Sequence, residues 1–251
     1  MPNEPQRLKI VDSPSPNFGA RKAVPGLKPV SYVVLHYTGM KSAGDALARL
    51  ADPAAQVSAH YVVDDDGQIY RMVAEEHRAW HAGVSYWKGV RDLNSVSVGI
   101  EITNPGHDYG YRDFPAQQIA SVEALVKDIL ARHKLSGAAV IGHSDIAPGR
   151  KIDPGELFPW AHLAQQGIGL WPTLSGTKHL VNSENALQLL SGIGYATPLS
   201  VEQGSDVLTS PSDCIAAFQR HYRPRKIDGI LDAETVALIQ TRAASASAAL
   251  S

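Results

Sequence analysis

The run Ser31-Tyr-Val-Val-Leu-His36 is short, β-branched and mostly apolar, the pattern of a strand buried on both faces, and it delivers His36 at its C-terminal end. Gly39 and Gly44 then open a loop, and Asp45-Ala-Leu-Ala-Arg-Leu50 has the polar start and Leu spacing of a helix. Further on, His60-Tyr-Val-Val-Asp64, the turn Asp65-Asp-Gly67 and Gln68-Ile-Tyr-Arg-Met-Val73 read as a hairpin, with Asp-Gly as the reversal signal. Ser95-Val-Ser-Val-Gly-Ile-Glu-Ile102 alternates with period two, so it predicts another strand with Glu101 near its end. Between Pro115 and Lys134, Ile119, Val122, Leu125, Val126, Ile129 and Leu130 fall on one helical face, with Gly137 beyond. Ala139-Val-Ile-Gly142 forms one more short strand leading into His143. Upstream of this core, residues 1–29 are proline-rich and lack periodic apolar positions, which predicts an extended arm packed on the domain.

Past Trp171-Pro172 the pattern changes. Thr173-Leu-Ser-Gly-Thr177 reads as a linker, followed by helical segments around Glu184–Leu190, Asp213–His221 and Ala233–Arg242, the last with Asp232 as N-cap. The expected division is a domain over 1–175, a small helical domain over 176–243, and an Ala/Ser-rich tail over 244–251 without fixed structure.

Composition narrows the functional classes. With 44% hydrophobic and 19% charged residues, the 251-residue chain is a folded globular protein rather than a disordered one. Lys plus Arg against Asp plus Glu is 23 − 25 = −2, which provides no electrostatic footprint for nucleic acid or an acidic membrane surface. The single cysteine, Cys214, rules out an intrachain disulfide and a cysteine-based metal site. The N-terminal residues carry no apolar signal region, and no run of about 18 apolar residues spans a bilayer, so a cytoplasmic location is expected.

Ten histidines direct attention to imidazole chemistry. His36, Glu101, His143 and Asp153 all stand at or just beyond strand ends, where rigid scaffolds present reactive groups. The segment His143-Ser-Asp-Ile-Ala-Pro-Gly-Arg-Lys-Ile-Asp-Pro-Gly155, with two Pro-Gly steps, reads as a loop too irregular for helix that holds His143 and Asp153 in a fixed relation. Two imidazoles and a carboxylate suit zinc with a fourth position left for water; equally, each histidine on its own suits a hydrogen bonder in the core. Spacing does not decide between these. Asp64-Asp-Asp66 lacks the bidentate partner of a calcium loop and reads as the hairpin turn.

The ordered segments Val33-Val-Leu-His-Tyr-Thr38, Val57-Ser-Ala-His-Tyr-Val-Val63, Arg78-Ala-Trp-His-Ala-Gly-Val84, Asn94-Ser-Val-Ser-Val-Gly-Ile-Glu101 and Gly142–Gly155 resemble the type 2 N-acetylmuramoyl-L-alanine amidases. These are zinc hydrolases related to phage lysozyme-type amidases and peptidoglycan-recognition proteins. The resemblance implies an α/β fold with a central mixed β-sheet flanked by helices. It implies cleavage of the amide between the lactyl group of N-acetylmuramic acid and L-alanine of the stem peptide. Position by position, it implies His36, His143 and Asp153 as zinc ligands, Glu101 as general base and Lys151 as the cation facing the oxyanion. Asp153 stands where some relatives carry cysteine, which leaves an all N and O donor set still suited to zinc. His60, Trp80, His81 and Asn94 also sit in matching segments and are expected to line a groove for sugar and peptide, the alternative being that His60 and Trp80 order the sheet edge. Arg71 and Arg150 are either solvated surface charges or partners for a stem-peptide carboxylate. The remaining histidines, His107 among them, carry no such match.

Ala217-Phe-Gln-Arg-His-Tyr-Arg-Pro224, Ile227-Asp-Gly229 and Asp232–Leu238 resemble the three-helix peptidoglycan-binding module that often follows such amidases, the alternative being a helical cap packed on the first domain. The expected partners are peptidoglycan fragments, with neither nucleic acid nor membrane, and no oligomeric state follows. Three functions compete: zinc-dependent recycling of 1,6-anhydro-muropeptides in the cytoplasm, an exported enzyme acting on intact wall, and a non-catalytic binder. Catalysis is preferred because binders of this kind lack a metal ligand, whereas here all three positions are filled.

Overall fold

The computed structural model describes residues 8–174, 183–201, 207 and 209–248. The run that opens the reading above forms β3 (Tyr32–Tyr37), the second-last strand of a six-stranded sheet. The arm before it supplies β1 (Ile10–Asp12) and β2 (Phe18–Ala20). The others are β4 (Tyr61–Val63), β5 (Ile69–Arg71), β6 (His77–Ala79), β7 (Ser97–Ile102) and β8 (Val140–Gly142). The sheet order is β1-β5-β4-β7-β3-β8; β4–β5 is the antiparallel hairpin pair and the other neighbours run parallel, so the sheet is mixed, as expected. The arm therefore does more than pack: β1 adds an edge to the main sheet, and β2 pairs with β6 in a small second sheet. No alternation marks these strands in the sequence, because three residues are too few to display a period.

The helices are α1 (Ala43–Ala51), α2 (Gly106–Tyr109), α3 (Ala116–His133), α4 (His143–Ile146), α5 (Trp160–Gln165), α6 (Ser183–Ile193), α7 (Pro211–Tyr222) and α8 (Ala233–Ala248). Ser42 caps α1: its hydroxyl accepts from the Asp45 amide. The four residues from His143 form a helical turn where an irregular loop is expected, because Asp145 reaches back to the Gly142 amide and closes it. α8 continues to Ala248, past the expected start of a structureless tail at 244; residues 249–251, and 175–177 of the expected linker, lie outside the described residues.

α3 covers one face of the sheet, burying Val122, Leu125, Val126 and Ile129 against Val33, Leu35, Val98 and Ile100. Each such side chain contributes about 1.5–3 kcal/mol on removal from water. The opposite face carries two cores. Leu50 of α1 packs with Ala59, Val62 and Met72, while Val34, Ile141 and Ile146 continue into Leu190, Phe218 and Ile239 of the C-terminal helices. The gap between these two cores, at the C-terminal ends of β3 and β7, is where the site lies.

The C-terminal signature residues are spent on one another. Gln219 is wholly buried; its Oε1 accepts from the amides of Asp228 (3.0 Å) and Gly229 (2.9 Å), and its Nε2 donates to the Ile230 carbonyl (3.0 Å) and approaches Thr235 Oγ1 at 3.2 Å. Asp232 caps α8 by accepting from the Thr235 amide, as the sequence predicts.

Candidate metal centre and active site

Parallel pairing of β3 with β7 sets His36 opposite Glu101, so both side chains leave the sheet on the same face. β8, on the other side of β3, ends in Gly142 and hands over directly to His143, the first residue of α4. The Ser144 amide donates to the Asp153 carbonyl at 2.9 Å, which folds the loop back so that Asp153 meets His143. Three atoms converge: His36 Nδ1 and His143 Nδ1 lie 2.9 Å apart, and Asp153 Oδ2 lies 3.1 Å from the first and 2.9 Å from the second. All three residues are buried, and they are the group of His, Cys, Asp or Glu side chains able to hold a metal among the described residues.

The outer hydrogen bonds assign the protons on both rings. Ser97 Oγ donates to the Leu93 carbonyl, so it accepts from His81 Nε2 (3.2 Å); His81 Nδ1 is then an acceptor and takes the proton of His36 Nε2 (3.0 Å). His143 Nε2 donates to the Ala82 carbonyl (3.0 Å). A neutral imidazole has one N–H, so each ring turns the lone pair of Nδ1 to the centre, where it meets a carboxylate oxygen that is also an acceptor. Three acceptors at hydrogen-bond distance with no donor between them form a site for a cation, and two imidazoles with one carboxylate fit zinc.

Charge follows the same arrangement. Burial lowers the pKa of His36 to about 4, which keeps its ring neutral. Burial, followed by the charge of Asp153, pushes the Glu101 carboxyl well above its ordinary value against the opposing pull of Lys151. Glu101 Oε2 is buried with no hydrogen-bond partner among the described residues. Glu101, Lys151 and Trp80 line a cavity of about 490 Å³ together with the three convergent residues, and Arg49 from α1 is exposed on its wall.

The other expected residues fall in different places. His81 touches the cavity, yet its nitrogens are spent on His36 and Ser97, and Gly99 has no side chain because a Cβ there would lie 2.4 Å from the His81 ring. Asn94 is buried: its Oδ1 accepts from the amides of His81 (2.9 Å) and Ala82 (2.8 Å), fixing the two residues against which the His36 and His143 rings rest. His60 corrects the expectation of a groove residue. It is fully buried away from the cavity, accepting from the Gly99 amide at Nδ1 and donating to the His77 carbonyl. Of the two arginines, Arg71 pairs with Asp12 across the β1 edge, and Arg150 donates to the Ala82 and Val84 carbonyls on the cavity wall. His107, unmatched in sequence, also lines the cavity, with Nδ1 on the Tyr37 hydroxyl (3.0 Å) and Nε2 on Glu156 (3.2 Å).

A mixed sheet that presents a two-histidine, one-aspartate centre beside an unpartnered buried carboxyl has the architecture of a metal-dependent amidase. Residues 26–156 match the family model described as N-acetylmuramoyl-L-alanine amidase (Amidase_2), and the chain belongs to that family. It is 38% identical over 241 residues to the N-acetylmuramoyl-L-alanine amidase AmiD of Escherichia coli K12, covering 88% of this chain and 84% of the relative. A solved complex of E. coli AmiD with anhydro-N-acetylmuramic acid-L-Ala-D-γ-Glu-L-Lys superposes with a TM-score of 0.75 at 37% identity, over 90% of this chain and 93% of that one. AmpDh3 of Pseudomonas aeruginosa in complex with anhydromuramic pentapeptide gives 0.75 at 35% identity, over 88% and 94%. Both structural likenesses extend over most of the chain. No helix among the described residues is long and apolar enough to cross a membrane.

Proposed function

We propose that this chain hydrolyses the amide between 1,6-anhydro-N-acetylmuramic acid and L-alanine of the stem peptide in soluble wall fragments, with zinc held by His36, His143 and Asp153. The observation that carries the reading is the convergence of three acceptor atoms beside the unpartnered Oε2 of Glu101. The solved complexes of two relatives with anhydromuramyl peptides support the substrate class. A cavity of about 490 Å³ suits a small fragment.

Zinc in this site supplies Lewis acidity, which makes water acidic near neutral pH and polarises a carbonyl. The work of the chain's own residues follows from their surroundings. Glu101, poised by burial above the usual carboxylate range, takes the proton of the attacking water at Oε2. The water oxygen bonds to the lactyl carbonyl carbon, the C–N bond breaks, and Glu101 returns its proton to the departing alanine nitrogen, which leaves as a neutral amine. Lys151 faces the negative charge that builds on the carbonyl oxygen. His81 and Asn94 keep the two imidazoles aimed, and Trp80 offers an aromatic face on the cavity wall.

The test is hydrolysis of a purified anhydro-muropeptide, its non-anhydro counterpart and intact sacculi, each with chelator and again after zinc is restored. The expected result is cleavage of the fragments, loss with chelator and recovery with zinc. Full-rate cleavage by metal-free protein would overturn the zinc reading. Preference for low-mass anhydro fragments goes with cytoplasmic recycling, and digestion of sacculi with action on the wall itself.

A further inference from the structure

The loop that carries His143 and Asp153 is backed along its length by the C-terminal helices. Asp145, two residues past His143, is 1% exposed, and every one of its bonds has a structural meaning. Oδ2 accepts from the Gly142 amide (2.8 Å), the peptide immediately before His143, and from His221 Nδ1 on α7 (2.7 Å). Oδ1 accepts from the Tyr195 hydroxyl (2.6 Å), just past α6. His221 is stacked between Trp160 (3.9 Å) and Tyr222 (4.0 Å), so its ring has no freedom to turn away. Farther along the loop, a Cβ on Gly149 would lie 2.8 Å from Asp213 Cγ, which places this backbone directly against the start of α7. The apolar core shared by Ile141, Ile146, Phe218 and Ile239 closes the same boundary.

A buried carboxylate that loses its donors keeps the full cost of being out of water, so it must either find others or move. Only the Gly142 amide would remain to Asp145 without α6 and α7. Movement of Asp145 would release that amide and unwind the turn that begins with His143. A recognition module on a free tether would leave this face wet, whereas here the helices supply two of three donors.

We propose that the C-terminal helical unit is a positioning element of the metal centre: Tyr195 and His221 fix Asp145, and Asp145 fixes the backbone that aims His143. This rests on the reading of His143 as a zinc ligand. The test uses the full chain and compares wild type with His221→Leu, His221→Asn, Tyr195→Phe and Thr235→Val. Zinc dissociation constants are measured by chelator competition, and unfolding by circular dichroism. His221→Leu is expected to weaken zinc about 10–100-fold, as loss of partners behind metal ligands does. His221→Asn, which keeps a donor near the place of Nδ1, recovers most of that, and Tyr195→Phe weakens zinc severalfold. Thr235→Val loosens the same helical unit away from Asp145 and is expected to lower stability while leaving zinc affinity unchanged. Folded His221→Leu protein with wild-type zinc affinity would overturn the proposal. If His221→Leu does not fold, Tyr195→Phe decides: unchanged affinity overturns the proposal and a severalfold loss supports it. Wild-type protein that binds no zinc at all would instead remove the ligand reading on which it rests.

Discussion

Two polar clusters in this molecule, one around Gln219 and one around His36, look alike in sequence and differ in their proton bookkeeping. Around Gln219 every donor meets an acceptor: two amides on Oε1, a carbonyl and a hydroxyl on Nε2. Around His36 the outer nitrogens are matched while the inner atoms are acceptors facing acceptors, with an unpartnered carboxyl oxygen beside them. A cluster that closes on itself serves the fold. One that leaves lone pairs pointed at each other is built for something brought in from outside. The recognisable C-terminal signature is of the first kind, and a sequence signature alone does not reveal which kind it is.

The largest effect should come from breaking the open cluster. His143→Ala and Asp153→Ala are expected to lose bound zinc and bring turnover to background, as read by metal analysis beside a muropeptide assay; retained stoichiometric zinc would erase the contrast with Gln219. Next, Glu101→Gln should keep zinc and lose about 10²–10⁴-fold in turnover. The acid limb of the wild-type pH profile should lie above the ordinary carboxylate range, because burial raises the pKa of the base. Lys151→Ala should cost about 10²–10³-fold in kcat, with KM little changed.

Breaking the closed cluster should act on stability instead. Gln219→Ala orphans buried amides and is expected to cost about 1–3 kcal/mol in denaturant unfolding, with the folded fraction retaining its zinc. A smaller effect is expected at His60, a closed site beside β4. Burial lowers its pKa to about 3 from the ordinary value of 6.5. Between those values the unfolded chain takes up a proton that the folded chain refuses, so the contribution of His60 is present above pH 6.5 and falls as pH drops toward 3. Replacing His60 with Gln should flatten that part of the stability curve, and an unchanged slope would show that the acid sensitivity comes from elsewhere.

Much of this arrangement was legible from residues alone. The buried run ending in His36, the alternating run ending in Glu101 and the amphipathic α3 are long enough to display their periods. What was not legible depended on through-space bonding. The strands of the arm are three residues each and acquire their structure from β5 and β6. The turn at His143 forms because Asp145 bonds back to Gly142, against the irregular look of a Pro-Gly segment. His60, His81 and Asn94 form one group by family resemblance, and only the hydrogen bonds separate a buried sheet residue from two that support the convergent imidazoles.

The ladder between β3 and β7 has one more consequence. Because His36 and Glu101 are direct neighbours across it, the backbone separation of these two positions is inherited from the inter-strand repeat of a sheet, about 4.8 Å, a lattice constant of polypeptide. Surrounding loops can then lengthen, shorten or change chemistry while these two positions keep their spacing.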